Sequence, residues 1–449
     1  MARTQSVFVC SACGGESPKW QGQCPSCAEW NSLSRLSGVA IASSRQQATP
    51  AALGQSLAGA AADRFTLGLG ELDRVVGGGM TAGSVCLLGG EPGIGKSTLL
   101  LQVAAAVSAS RAVLYASGEE SVAQTTLRAR RLGLAPENLG VVAASALEEI
   151  LALASERQVQ LLLIDSIQTM QSELADAPPG SLSQLRECTS ALVRYAKARA
   201  TAIIIVGHVT KDGAIAGPKL LEHLVDTVLY FESDAASRFR ILRATKNRFG
   251  AANELGFFAM DEGGLREVKN PSAIFLSRHS EPVPGSVVMV ARDGGRALLI
   301  EVQALVDHAR ATLPRRVAQG VDANRLSMLL AVMSRHAAVS LADFDVFVNL
   351  VGGLQIGETA TDLPLALALV SSLRNVPLAT DLVVFGELGL TGEVRPVAHG
   401  EERVRELAKQ GYRRVILPRQ NVPRGPAPEG LQLVAVSTIA AAVEAALQS

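Results

Sequence analysis

Gly90-Glu91-Pro92-Gly93-Ile94-Gly95-Lys96-Ser97 has the spacing G-x-x-x-x-G-K-[ST], and Thr98 continues it into an Ala/Leu/Val-rich stretch. A glycine-rich turn of this form presents backbone N–H groups to a polyphosphate, because a chain without Cβ atoms can wrap closely around it. Lys96 would reach the β- and γ-phosphates, and the Ser97 hydroxyl would bind Mg²⁺. The residues imply binding of ATP or GTP. Two carboxylates complete the chemistry. Glu119 follows Ala112–Ser117, and its position suits orienting and deprotonating an attacking water. Asp165 follows four aliphatic residues, Leu161–Ile164, the pattern in which a carboxylate holds Mg²⁺ through water.

A second group lies near the start. Cys10, Cys13, Cys24 and Cys27 form two C-x2-C pairs separated by ten residues. Two thiolate pairs at that spacing make a closed tetrahedral site for Zn²⁺, structural rather than catalytic. Disulfides are the competing reading, disfavoured in a reducing compartment. Trp20, Lys19 and Trp30 are placed to touch nucleic acid, although the simpler expectation is that the tryptophans cover the metal site.

These groups need elements to hold them. Val85–Gly89 reads as a buried strand and Thr98 to Ser108 as a helix, the setting the phosphate loop requires. Ser121 reads as the start of a further helix. Ala202–Val206 is another strand, ending at His208, where a polar side chain could sense a γ-phosphate. Strands alternating with helices predict a mostly parallel α/β sheet with ligand at the strands' carboxyl ends. Val228–Phe231 and Arg238–Leu242 read as further strands, the second with Phe239 and Ile241 on one side and Arg238 and Arg240 on the other. Lys211–Pro218 is Gly-rich and reads as a DNA-contacting loop. After Pro271 the pattern becomes α+β, with a helix over Ala323–His336, a strand over Phe344–Leu350 and helices near Leu363–Leu373 and Glu401–Gln410.

The expected organisation is a zinc ribbon over 1–36, a flexible linker over 37–64, a nucleotide-binding domain over 65–270 and an α+β domain over 271–449. The 449 residues carry 42 basic and 42 acidic side chains, so any basic surface must be local. Aromatics at 4% argue against many base-stacking platforms. No signal-like N-terminus or spanning apolar run is present, which predicts a cytoplasmic protein with no membrane partner. The local basic excess is Arg238, Arg240, Arg243, Lys246 and Arg248, a run without an acid.

The order of these pieces resembles the bacterial RadA (Sms) family over essentially the whole chain. Lys246-Asn247-Arg248-Phe249-Gly250 matches that family's KNRFG motif without change. The resemblance implies a RecA/DnaB-type ATPase core that forms hexameric rings on DNA, using ATP, Mg²⁺ and Zn²⁺. It also implies single-stranded and branched DNA as partners, a RecA-type recombinase alongside, and branch migration in recombinational repair. Lys96 and Ser97 would bind nucleotide and Mg²⁺, Glu119 would act as base, and Lys246 and Arg248 would couple the ATP site to DNA or to a neighbouring subunit. The region from Pro271 resembles the proteolytic domain of Lon, but Ala360 falls near the nucleophilic serine and Glu401 near the catalytic lysine. A Ser–Lys dyad is therefore absent. That domain is expected to serve oligomerisation and DNA contact, through basic residues such as Arg310, Arg315, Arg316, Arg413 and Arg414. The competing functional reading is a recombinase loader that uses ATP only as a switch.

Overall fold

The computed structural model describes residues 7–10, 13, 15–17, 19–36, 64–134, 136, 138–208, 221–232, 238–277, 281–311, 313–352 and 356–448. Most of the expected linker and the whole of the Lys211–Pro218 stretch lie outside these residues. The chain divides into two compact units, Met1–Val268 and Lys269–Ser449. No described helix is long and apolar enough to cross a membrane.

The first unit contains a nine-stranded sheet. Six strands run parallel, in the order Leu139–Ala143, Val113–Ser117, Leu161–Asp165, Ala202–Val206, Val85–Gly90 and Thr227–Glu232. Phe239–Asn247, Leu255–Asp261 and Gly264–Glu267 extend it antiparallel. The central strands are buried from end to end, as Val85–Gly90 and Ala202–Val206 show. Strands covered by helices on both faces read as continuous aliphatic runs, which is why they were legible without alternation. Two apolar layers result. Leu99, Leu100 and Val103 of the helix Lys96–Ser108 pack on one face with Tyr115 and Leu163. Leu185, Cys188 and Leu192 of the helix Leu182–Arg199 pack on the other with Leu114 and Ile164.

The strand expected over Arg238–Leu242 runs instead over Phe239–Asn247, and its buried residues are Leu242 and Ala244. These share the face of Arg240, and Phe239 and Ile241 lie on the opposite one, as the alternation predicted. Those two are only half-buried.

The second unit is built on a seven-stranded mixed sheet, ordered Arg316–Gln319, Phe344–Leu350, Arg296–His308, Ser286–Asp293, Leu382–Val384, Arg414–Pro418 and Gln432–Val436. The helix Ala323–His336 and strand Phe344–Leu350 have the expected bounds. The helix Asp362–Arg374 is apolar almost all round and lies buried along its length.

Candidate active site

The parallel strands bring their carboxyl ends to one edge, and the expected groups gather there. The loop after Gly90 turns through Gly93 (φ 77°) and Gly95 (φ 119°), both in the left-handed region. At Gly95 the backbone angle itself favours glycine, while the flexible end of Met260, 2.5 Å from where a Cβ would lie, could move aside. The first backbone bond of the helix Lys96–Ser108 runs from Leu99 N–H to Gly95 O at 2.9 Å. The N–H groups of Lys96, Ser97 and Thr98 thus have no helical acceptor and mark the positive end of the helix dipole. The Lys96 ammonium is buried and curls back on the loop, donating to Gly90 O at 2.7 Å and Glu91 O at 2.8 Å. Burial pushes its pKa down to about 8, against the opposing pull of Asp165, Glu119 and Glu91.

Asp165 ends its strand two places from the phosphate-loop strand and is 6% exposed. Its Oδ2 accepts a hydrogen bond from the Tyr115 hydroxyl at 2.5 Å. Glu119 lies just beyond the strand Val113–Ser117, next to the helix Val122–Arg131 that Ser121 and Gln124 cap reciprocally. Ser166 Oγ donates to Glu119 Oε1 at 2.5 Å, and His208 Nε2 lies 3.3 Å from the same oxygen. Lys96, Glu119, Asp165 and His208 therefore share one edge. Nothing in the sequence pointed to Tyr115 or Ser166, whose parts in the site depend on which strands become neighbours.

The KNRFG residues go elsewhere. Lys246 sits opposite Val228, which lies at the level of Leu87, three residues and about 10 Å before the end of the phosphate-loop strand. Lys246 Nζ donates to Glu222 O at 2.7 Å and Val225 O at 2.8 Å. Arg248 Nη1 donates to Asp226 Oδ1 at 3.1 Å, and the other oxygen of that buried carboxylate accepts from Val85 N–H at 3.1 Å. Asn247 and Gly250 hold the chain against the segment following the helix Gly70–Val75. Asn247 Nδ2 donates to Val75 O at 3.4 Å, and a Cβ on Gly250 would lie 2.8 Å from Gly77 Cα. Lys246 and Arg248 thus stand at the end of the sheet away from their own phosphate loop. Of the basic run, Arg240 reaches that loop, donating through Nε to Ile94 O at 3.1 Å. Arg243 pairs with Glu232 at 2.8 Å. The run is therefore largely engaged within its own chain rather than a free basic surface.

The four ribbon sulfurs lie within 4.8 Å of one another, with Cys10–Cys27 and Cys13–Cys24 separations of 3.6 Å. A tetrahedron with Zn–S bonds of about 2.3 Å has S···S edges of about 3.8 Å, so the donor set fits zinc, and the sulfurs are far too distant for disulfides. Gly15 N–H and Ser26 N–H each donate to a cysteine sulfur at 3.4 Å, the knuckle geometry that steadies a thiolate. Trp20 and Trp30, 56% and 68% exposed, stand in water instead of covering the site. The segment is too short to enclose two indoles.

Residues 55–214 match the family model of an AAA domain, 8–35 that of a rubredoxin metal-binding domain and 327–421 that of subunit ChlI of Mg-chelatase. The chain is 51% identical to the DNA repair protein RadA of Pseudomonas aeruginosa, with 99% of each covered. The chain belongs to the RadA family. It is likewise 51% identical to RadA of Escherichia coli over 97% of each chain, and 45% identical to RadA of Bacillus subtilis over 100% of each. The crystal structure of the RadB recombinase covers 45% of this chain and 99% of its own at 21% identity and a TM-score of 0.36, a likeness too weak to inform the site.

As a RadA-family member the chain combines a RecA-like ATPase core, a four-cysteine zinc ribbon and a ChlI- or Lon-like C-terminal domain. In that last domain Ala360 is 1% exposed, inside the short 3-10 turn Thr359–Thr361. Glu401 is exposed on the helix Gly400–Lys409, paired with Arg405 at 3.2 Å. Beside Ala360 in sequence, Glu358 forms an ion pair with Arg403, itself 1% exposed and bonded to Ala398 O. Of the basic residues expected to touch DNA, Arg316 is tied to Leu341 O at 2.7 Å and Arg414 to Ala445 O at 2.7 Å. Arg310, Arg315 and Arg413 are exposed.

Proposed function

We propose that this protein is a DNA-dependent ATPase of recombinational repair. It acts as a ring, expected to be hexameric, that drives branch migration on single-stranded and branched DNA alongside a RecA-type recombinase. The observation that carries the reading is the division of its functional residues between the two ends of one sheet. Gly90–Thr98, Glu119 and Asp165 meet at the carboxyl edge, whereas Lys246 and Arg248 stand at the other. A pair remote from its own nucleotide, yet fastened to the segment that follows residues 209–220, suits a role toward DNA or a neighbouring subunit.

At the nucleotide edge, the loop N–H groups and Lys96 bind the phosphates, drawing the ammonium off the carbonyls it now holds. Mg²⁺, held by Ser97 and through water by Asp165, would neutralise charge on the phosphoryl oxygens. Glu119 orients the attacking water and takes its proton, with Ser166 and His208 fixing the carboxylate. Because Lys246 and Arg248 touch none of these groups, Lys246→Ala should bind nucleotide normally while losing DNA-driven turnover and movement.

The C-terminal domain supports assembly and DNA contact without proteolysis. A dyad needs a hydroxyl beside an amine, and Ala360 and Glu401 supply neither. Casein should survive incubation with the protein and ATP. Branch migration by the purified protein on a three-strand junction is the test. ATP hydrolysis without junction movement would favour a recombinase loader, and normal migration by Lys246→Ala would refute the role given to that lysine.

A further inference from the structure

The geometry points to Tyr115 as a positioning residue that fixes how Asp165 faces the Mg²⁺–nucleotide complex. This rests on the reading of Asp165 as the magnesium carboxylate. Tyr115 is 1% exposed in the middle of the strand Val113–Ser117, so its hydroxyl needs a partner inside the protein. That partner is Asp165 Oδ2 at 2.5 Å.

The register explains why a tyrosine stands there. Tyr115 is level with Leu163, two residues before Asp165, while Ser117 is level with Asp165 itself. Two strand residues span about 6.6 Å, and residues two apart point to the same face. A phenol lying along the strand covers that distance, whereas Ser or Thr would fall short and Phe would arrive without a donor. The ring packs in the apolar layer with Leu99, Leu100 and Val103 of the helix that begins at Lys96. The hydroxyl therefore belongs to a rigid wedge beneath the phosphate-loop helix. Gly118 N–H donates to Asp165 O at 2.9 Å, which ties the same two strands together just past the carboxylate.

A carboxylate has two oxygens, and its χ2 rotation is soft. With Oδ2 committed to Tyr115, rotation is arrested and Oδ1 is left to the ligand side, with no described residue donating to it. The direction of proton donation is also set. A phenol O–H against a carboxylate oxygen is the donor of that bond. Partners of directly ligating groups are typically worth 10–100-fold in metal affinity, and because Asp165 acts through water the lower end of that range applies.

Tyr115→Phe keeps the ring and its packing while removing the donor. The full-length variant and Asp165→Asn would be titrated with Mg²⁺ in the presence of a fluorescent ADP analogue, beside the unchanged protein. Binding of the analogue in EDTA, which depends on the loop and Lys96, serves as the folding control. The expected result is unchanged binding in EDTA for Tyr115→Phe and a half-saturating Mg²⁺ concentration raised about tenfold in that variant. A normal Mg²⁺ dependence in Tyr115→Phe with a shifted one in Asp165→Asn would overturn the role of Tyr115 alone. A normal dependence in Asp165→Asn would overturn the assignment of Asp165 itself. Weakened binding of Tyr115→Phe in EDTA would show the hydroxyl to be a packing requirement of the fold and would equally overturn the proposal.

Discussion

Arg248→Ala separates coupling from folding. The guanidinium is 54% exposed, whereas its partner Asp226 is 7% exposed. After the substitution Asp226 keeps Val85 N–H at 3.1 Å, and Lys246 remains close enough for the carboxylate to act on its pKa. The buried charge is therefore not orphaned, and the loss should resemble that of an exposed pair, about 1 kcal/mol at most. For a domain of this size that lowers the melting temperature by roughly 2–4 °C. Against a total stability of about 5–15 kcal/mol the protein stays almost wholly folded. DNA-stimulated hydrolysis should nevertheless fall more than about tenfold, equivalent to over 1.4 kcal/mol of lost coupling, while the DNA-independent rate persists. Thermal melts and ATPase assays with and without single-stranded DNA read both quantities. Retained DNA stimulation, or a melting loss above roughly 10 °C, would refute the reasoning.

Glu119→Gln should cut hydrolysis by about 10²–10⁴-fold with nucleotide affinity little changed, since the amide can still accept from Ser166; a nearly normal rate would remove Glu119 as base. Lys96 offers a pH test. Its pKa near 8, below the ordinary 10.5, means that the unfolded chain holds more protons between those values, so stability of the nucleotide-free protein rises with pH across that window. Phosphate charge raises the pKa again, so ATP binding near pH 9 should take up a proton, read by calorimetry in buffers of different ionisation enthalpy; heats independent of buffer would contradict this. Thiol counting tests the ribbon. Chelation should expose four reactive cysteines and release one zinc, while Cys86 and Cys188, buried and pushed up to about 12, react only on unfolding. Six reactive thiols in the native protein would contradict it.

Much of the fold was legible because its signals are local. Leu161–Asp165 and Ala202–Val206 are aliphatic runs that can only be buried strands, and the helix Ala323–His336 carries its own cap, Asp322 accepting from Arg325 N–H. The phosphate loop and the cysteine pairs declare themselves through spacing. What stayed hidden depends on pairing between distant segments. Tyr115 meets Asp165, and Arg248 meets Asp226, only through the strand order, which no periodicity encodes. The tryptophans misled for the opposite reason: indoles are usually buried, yet a ribbon of about thirty residues lacks the volume to cover them.

The most direct test of a DNA-coupled ATPase is the steady-state hydrolysis rate with and without single-stranded DNA, for the unchanged protein and for Lys96→Ala. The account predicts a rate that rises on adding DNA and is abolished in Lys96→Ala. A rate indifferent to DNA, or persisting without Lys96, would contradict it.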